Sequence, residues 1–251
     1  MIVDTFMFYN ELDVLELRLE ILDEYVDRFV IVEAELNHVG TPKELFFTKN
    51  QERFAKWLHK IHLVVVPAEE SPKDHDPWVR EKHQRHFVLH GLQDIPNDSI
   101  VMLSDLDEIP DMTKIPYEKL PHVVTAVHMW MFEYSLKYMF TGEPWFGTVI
   151  TNCEIFKRVG PNYLRENRWK FPSFKEAGWH LSSFWTPQHV WNKMQTYAHG
   201  RDIQRFNETP DMFEAWIESG THTDGKTPLV PRPPSVPLPG SPEVLQRLGL
   251  L

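Results

Sequence analysis

A single cysteine, Cys153, rules out an intramolecular disulfide and any cysteine-based zinc cluster, and fits a reducing compartment. It reads as a small core residue rather than a nucleophile. Positive charge is also scarce: 26 Lys and Arg stand against 36 Asp and Glu, a formal net charge of -10. Long nucleic acids and anionic membranes need a basic footprint, so neither is expected as a partner. No apolar run is long enough for a signal peptide or a membrane span, and no basic leader precedes Ile2-Val3. A soluble, cytoplasmic protein without a membrane span is therefore expected. No internal repeat interrupts the 251 residues, which suffice for the core of one large α/β domain.

Aromatic residues, by contrast, are plentiful between Met129 and Trp191. Sugar rings pack on such side chains, and so do ordinary cores. A sharper signal is Ile100-Val101-Met102-Leu103-Ser104-Asp105-Leu106-Asp107-Glu108-Ile109-Pro110. Its apolar run reads as a strand buried on both faces, ending at a sheet edge where ligands of open α/β sheets gather. Asp105 and Asp107, one residue apart, project the same way with Cα atoms about 7 Å apart. Both can face one hard cation, Mg2+ or Mn2+, whose remaining positions a nucleotide diphosphate would fill. The other reading is a solvated acidic turn. Pro110 cannot continue a ladder and biases Ile109 toward extended geometry, which places the carboxylates in a turn rather than a helix.

The first half alternates strands and helices, the pattern of a parallel sheet covered by helices. Strands are expected at Val3–Phe8, Phe29–Glu33 and Ile61–Val66. A helix entered at Asn10-Glu11-Leu12-Asp13 carries Leu12, Leu15, Leu19 and Leu22 inward, with Arg18 and Glu20 facing out. Further helices are expected around Gln51–His59 and Trp78–His86. After Pro121 the elements become mixed, with strands at Val123–Val127, Trp130–Tyr134 and Thr148–Ile155 and helices near Val190–His199 and Met212–Ser219. That change suggests a nucleotide-binding half, about 1–120, passing into an acceptor-binding half, about 121–225. The proline-rich tail, 226–251, is expected to be extended, with Val230, Val236 and Leu238 as apolar anchors if it packs on the body.

His180, in Ala177-Gly178-Trp179-His180-Leu181-Ser182-Ser183, is a candidate nitrogen ligand for the metal or, alternatively, a hydrogen-bonded core histidine. Arg165, Arg168, Lys170 and Lys193 flank it in sequence and could neutralise a leaving diphosphate or simply be surface charges. Arg85, on the helix leading to the acidic strand, joins the candidates for the nucleotide.

Several of these segments together are similar to glycosyltransferase family 17: Phe6-Met7-Phe8-Tyr9-Asn10-Glu11-Leu12-Asp13, Val30-Ile31-Val32-Glu33-Ala34, Asp105-Leu106-Asp107-Glu108-Ile109-Pro110, Gly178-Trp179-His180-Leu181-Ser182, and Asp224-Gly225. The resemblance implies a GT-A-like fold and an inverting transfer of a sugar, GlcNAc first, from a UDP-sugar to a glycan or glycoconjugate hydroxyl. It also implies that Asp105 and Asp107 hold a Mn2+ or Mg2+ ion on the diphosphate. Asn10, Glu11 and Glu33 would sit where strand ends meet the nucleotide, and His180 would be a distal metal or phosphate contact. The proton-accepting base is less defined: Glu176, just before Gly178-Trp179-His180, and Asp224 are the alternatives. Two other classes share parts of this pattern. A phosphotransferase or phosphatase usually carries Asp-x-Asp on its first strand, and a carbohydrate-binding protein would use the acids and aromatics without turnover.

Overall fold

The computed structural model describes residues 1–117, 120, 123–184, 186–196 and 208–251. Four strands, β1 (Ile2–Phe8), β2 (Arg28–Ala34), β3 (Ile61–Val66) and β4 (Ile100–Asp105), run parallel in the order 3-2-1-4. Val3, Phe6, Val30, Ile31, Val101 and Met102 are fully enclosed, as side chains alternating between two covered faces must be. Among the described residues seven further strands extend the sheet: β5 (Glu108–Pro110), β6 (Thr125–Glu133), β7 (Tyr138–Met139), β8 (Trp145–Asn152), β9 (Ser173–Phe174), β10 (Gly178–Ser182) and β11 (Val230–Pro231). Beyond β4 the pairing turns antiparallel through β8 to β6, so the second half extends the parallel half as one mixed sheet.

The helices are α1 (Leu12–Leu22), α2 (Phe46–Lys49), α3 (Pro77–His86), α4 (Cys153–Val159), α5 (Pro161–Glu166), α6 (Pro187–Thr196), α7 (Pro210–Ser219) and α8 (Pro242–Arg247). α1 and α8 cover one face of the sheet, where Leu15, Leu19 and Leu245 join Phe6 and Ile31. On the other face Phe87, Val88, Phe156 and Leu164 pack on Val3, Val30 and Val101. The α/β class with a central sheet flanked by helices is the one expected. Among the described residues no helix is long and apolar enough to cross a membrane.

Several local expectations are corrected. Arg18 does not face out: it has no exposure and lies at i+3 from Leu15 and i+4 from Val14, inside the buried stripe of α1. The segment at 51–59 is not an α-helix. The short α2 is followed instead by a single 3-10 turn, Gln51–Phe54. The two strands expected at 123–134 are one, β6, with a register shift between Ala126 and His128. β8 stops at Asn152 because its side chain accepts from the Ile155 amide at 2.8 Å and caps α4. The helix expected at Val190–His199 is described as far as Thr196, and 197–199 and the change at Pro121 lie outside the described residues.

Pro110 ends β5 opposite Gly178, at the last position of a short antiparallel pair. In the C-terminal segment Val236 is buried and Leu238 packs partly buried against the core, whereas Val230 is exposed on β11. The Trp179 indole donates to the Pro237 carbonyl at 2.8 Å. α8 then docks Leu245 and Leu248, a helix that the proline content concealed.

Candidate active site

The C-terminal ends of β1 and β4 open into a cavity of about 760 Å³. The chain leaves β4 at Asp105, turns through Leu106 and Asp107, and re-enters the sheet as β5. Arg18 builds this turn from below. Its Nε and Nη2 hold both oxygens of Asp4 on β1 at 2.8 and 2.7 Å, and Nη1 donates to the carbonyls of Leu106 at 3.0 Å and Glu108 at 2.7 Å. One planar guanidinium thus locks the turn to the neighbouring strand.

Glu108 is the second anchor. Fully buried, it accepts from the Asp105 amide at 2.9 Å, the Trp145 indole at 2.8 Å, and Arg165 at 2.7 and 2.8 Å. Arg165 reaches on to Asp105 Oδ2. β10 pairs with β5 so that His180 lies opposite Glu108, which brings its ring to Asp107. Gly178 makes that pairing possible, since a Cβ there would meet the Ile109 carbonyl oxygen at 2.7 Å. His180 Nε2 is 3.6 Å from Asp107 Oδ2, Lys193 Nζ is 3.5 Å from the same oxygen, and Lys193 Nζ is 3.7 Å from Glu11 Oε1. Trp145 stacks on His180 with ring centroids 4.4 Å apart, and Arg168 lies over Trp145 at 5.3 Å.

The electrostatics follow from these neighbours. Burial alone would raise the Asp107 carboxyl, but Lys193 and His180 override it and hold the group well below the ordinary carboxylate range. Asp105 is likewise lowered, burial being outweighed by Arg165 and Arg85. His180 is pulled down by burial, but Asp107, Glu108 and Glu133 together raise it, so its net shift is upward. Glu11 is raised by burial despite Lys193. Two ionised carboxylates therefore face a ring of cations.

The cavity brings together Glu11, Arg85, Asp105, Asp107, Arg165, Arg168, His180 and Lys193, all expected in the site. Others lie elsewhere. Asn10 precedes α1 and lines a separate cleft. Glu33 is buried and accepts from the Phe47 and Thr48 amides at 3.0 and 3.4 Å, capping α2. Glu176 is exposed on the connection to β10, with its carbonyl accepting from Lys114, and does not line the cavity. Asp224 is also outside it. Its side chain accepts from the Lys226 and Thr227 amides at 2.8 Å and the Thr227 hydroxyl at 2.6 Å, and these donors overcome burial to bring its pKa down to about 2.

Sequence reasoning missed Arg18 and Glu108, which build the turn, and Trp145 and His222, which line the cavity. For Glu108 the available signal was its place directly after Asp107 in the same acidic run.

For the implied divalent cation, Asp105 Oδ1 is the telling atom: it is buried and has no hydrogen-bond partner. Among the described residues no three His, Cys, Asp or Glu side chains form a ready metal cage. Two carboxylates with one unengaged oxygen suit Mg2+ or Mn2+ held by one or two protein oxygens and completed by phosphate and water. The donor set fits.

A family model for glycosyltransferase family 17 matches residues 1–219. The chain belongs to that family. Two β-1,4-mannosyl-glycoprotein 4-β-N-acetylglucosaminyltransferases resemble this family 17 chain. The Rattus norvegicus protein is 23% identical over 89% of the chain and 48% of its own length. The Homo sapiens protein is 23% identical over 80% of the chain and 44% of its own length. The chain thus spans about half the length of the curated relatives it matches. Among solved structures, HddC from Yersinia pseudotuberculosis complexed with GMP-PN superposes with TM-score 0.44 at 9% identity, covering 76% of this chain and 96% of that one. The galactosyltransferase LgtC with donor and acceptor sugar analogs gives 0.37 at 12% identity, covering 68% and 64%.

Proposed function

We propose that this family 17 chain is a metal-dependent inverting glycosyltransferase that moves a sugar, GlcNAc first, from a UDP-sugar to a hydroxyl of a glycan or glycoconjugate. The main support is the pair Asp105 and Asp107, presented by one locked turn to a cavity that also holds Arg85, Arg165, Arg168 and Lys193. In this reading one domain, 1–225, binds the nucleotide sugar with about 1–120 and the acceptor with about 121–225, and the tail follows. The printed activity of the relatives supports GlcNAc as the donor sugar. Residence in the cytoplasm belongs to the same proposal and is checked by fractionation.

Asp105 and Asp107 would hold the cation, with His180 Nε2 on the same side. When bound, the metal supplies Lewis-acid stabilisation of charge developing on the leaving diphosphate. Arg165 keeps Asp105 ionised and oriented, and Lys193 does the same for Asp107. Arg168, raised over Trp145 and Trp169, adds positive charge at the rim. The half-exposed Trp169 offers a flat apolar face of the kind that packs on sugar rings. Calorimetry of UDP binding with Mn2+ tests the reading. Asp107→Ala should weaken binding about tenfold or more, that is by at least ~1.4 kcal/mol. Equal affinity in the variant and the parent would remove the metal-bridging role.

A further inference from the structure

Glu133 stands at the last position of β6, beside Ser182 on β10, with no solvent exposure. Neither carboxylate oxygen has a donor in full hydrogen-bond geometry, although the Ser182 and Ser183 hydroxyls and the His222 ring stand close enough to act on it. A buried acid left in this state costs folding free energy, so a role that needs it is the natural explanation. The surroundings connect it to the cavity. Ser182, Ser183 and His222 line the cavity wall and face Glu133 from the other side, with His222 Nε2 3.9 Å from Glu133 Oε2. His180 on β10 and Lys193 on α6 are the other charged or titratable groups that act on it.

The backbone adds an independent mark. Tyr134, the next residue, has φ +62°, and Ser183, beside it on the neighbouring strand's exit, has φ +58°. Left-handed conformations at non-glycine residues cost about 1–3 kcal/mol each and cluster where function requires them. Burial raises the Glu133 carboxyl to about 7, more than His180, Lys193 and the two serines lower it. A group with that affinity can take and release a proton near neutrality.

We propose that Glu133 takes up the proton of the attacking acceptor hydroxyl, passed to it across the Ser182 and Ser183 hydroxyls that separate it from the cavity. This rests on the transferase reading above. As the acceptor O–H bond breaks, its electron pair forms the bond to the anomeric carbon. The bond from that carbon to the diphosphate oxygen breaks, and its electron pair leaves with UDP. A serine hydroxyl gives its proton to Glu133 while taking the acceptor's, and Glu133 returns the proton to water before the next turnover. Glu133 is thus a positioning and proton-accepting residue behind the wall, and neither Glu176 nor Asp224 is needed for that step.

UDP-GlcNAc hydrolysis, with water as the acceptor, tests this across pH, alongside calorimetry of UDP with Mn2+. Parent turnover should rise through an ionisation near pH 7. Glu133→Gln should lower kcat about 100-fold or more and abolish that ionisation, with KM and UDP affinity unchanged. Glu133→Asp should recover part of the rate and keep the ionisation. A Gln variant within about threefold of the parent, or one that is slower with the parent's pH profile, overturns the proposal. Should the Gln variant fail to fold, the Ser182→Ala, Ser183→Ala double variant decides, since parental kcat there also overturns it. A parent that neither hydrolyses UDP-GlcNAc nor binds UDP sinks the transferase reading, and the Glu133 role with it. Normal UDP binding with unaltered turnover in Glu133→Gln sinks the Glu133 role alone.

Discussion

At the scale of single residues, the chemistry depends on side chains that never touch the cavity. Arg18 is the clearest case, because it ties Asp4 on β1 to three carbonyls of the acidic turn and to the Ser104 hydroxyl at 3.0 Å. Replacing it with alanine leaves Asp4 buried without its partner and releases the carbonyls of the turn. Removal of one member of a buried pair costs about 3–5 kcal/mol, so Arg18→Ala should lower the urea midpoint strongly. Arg18→Met, which keeps the stem volume, still strands Asp4 and should be nearly as harmful. The Asp4→Leu, Arg18→Met double variant should recover most of the loss. If the double variant is no more stable than Arg18→Ala, the cost arises at the turn and not from the unpaired acid. The acidic pair was legible in the sequence because carboxylates end an apolar run. Arg18 was not, since a charged residue among leucines reads as outward until its partner on another strand is known.

At the scale of elements, β5 and β10 decide where His180 and Glu108 stand. Their close approach at Gly178 leaves no room for a side chain. Gly178→Ala should push β10 away from Ile109, cost about 1–3 kcal/mol as overpacking does, and weaken UDP binding with Mn2+ as His180 moves from Asp107. Thermal melting paired with UDP calorimetry reads both effects. Unchanged melting and binding would show that the strands can part without consequence. The parallel strands β1, β2 and β4 were legible because they are buried on both faces and largely apolar, and the edge strand β3 because Leu63–Val66 is apolar although His62 is exposed. β5 was hidden: three residues ending in proline carry no periodicity, and their pairing lies some seventy residues downstream. The end of β8 was hidden for a different reason, because Asn152 converts an apolar run into a helix start through one side-chain hydrogen bond.

At the scale of the whole molecule, the site is assembled across the sheet, from β1 and β4 on one side and β6, β10 and α6 on the other. Charge spacing along the chain could propose Arg165, Arg168 and Lys193 as site residues, but only tertiary contact could separate them from Lys170, which is exposed and bonded to Asn167. Glu133 extends this to the stability of the entire fold. Its folded pKa of about 7 lies above the ~4.3 of glutamate in an unfolded chain. A raised folded value means that the native state binds the proton more tightly. Its stabilising contribution is therefore fully present below about pH 4.3 and is lost as pH rises through 7. For this fully enclosed group the gap corresponds to about 4 kcal/mol. Glu133→Gln should consequently be more stable than the parent at pH 8, by up to that amount, and no more stable at pH 4.5. Chemical denaturation at the two pH values checks it, and equal pH slopes for parent and variant would show that Glu133 does not carry the burden. A substitution that stabilises the fold while removing turnover is the signature of an acid kept buried for its reactivity, and a glutamate held ionised for structure would lose stability instead.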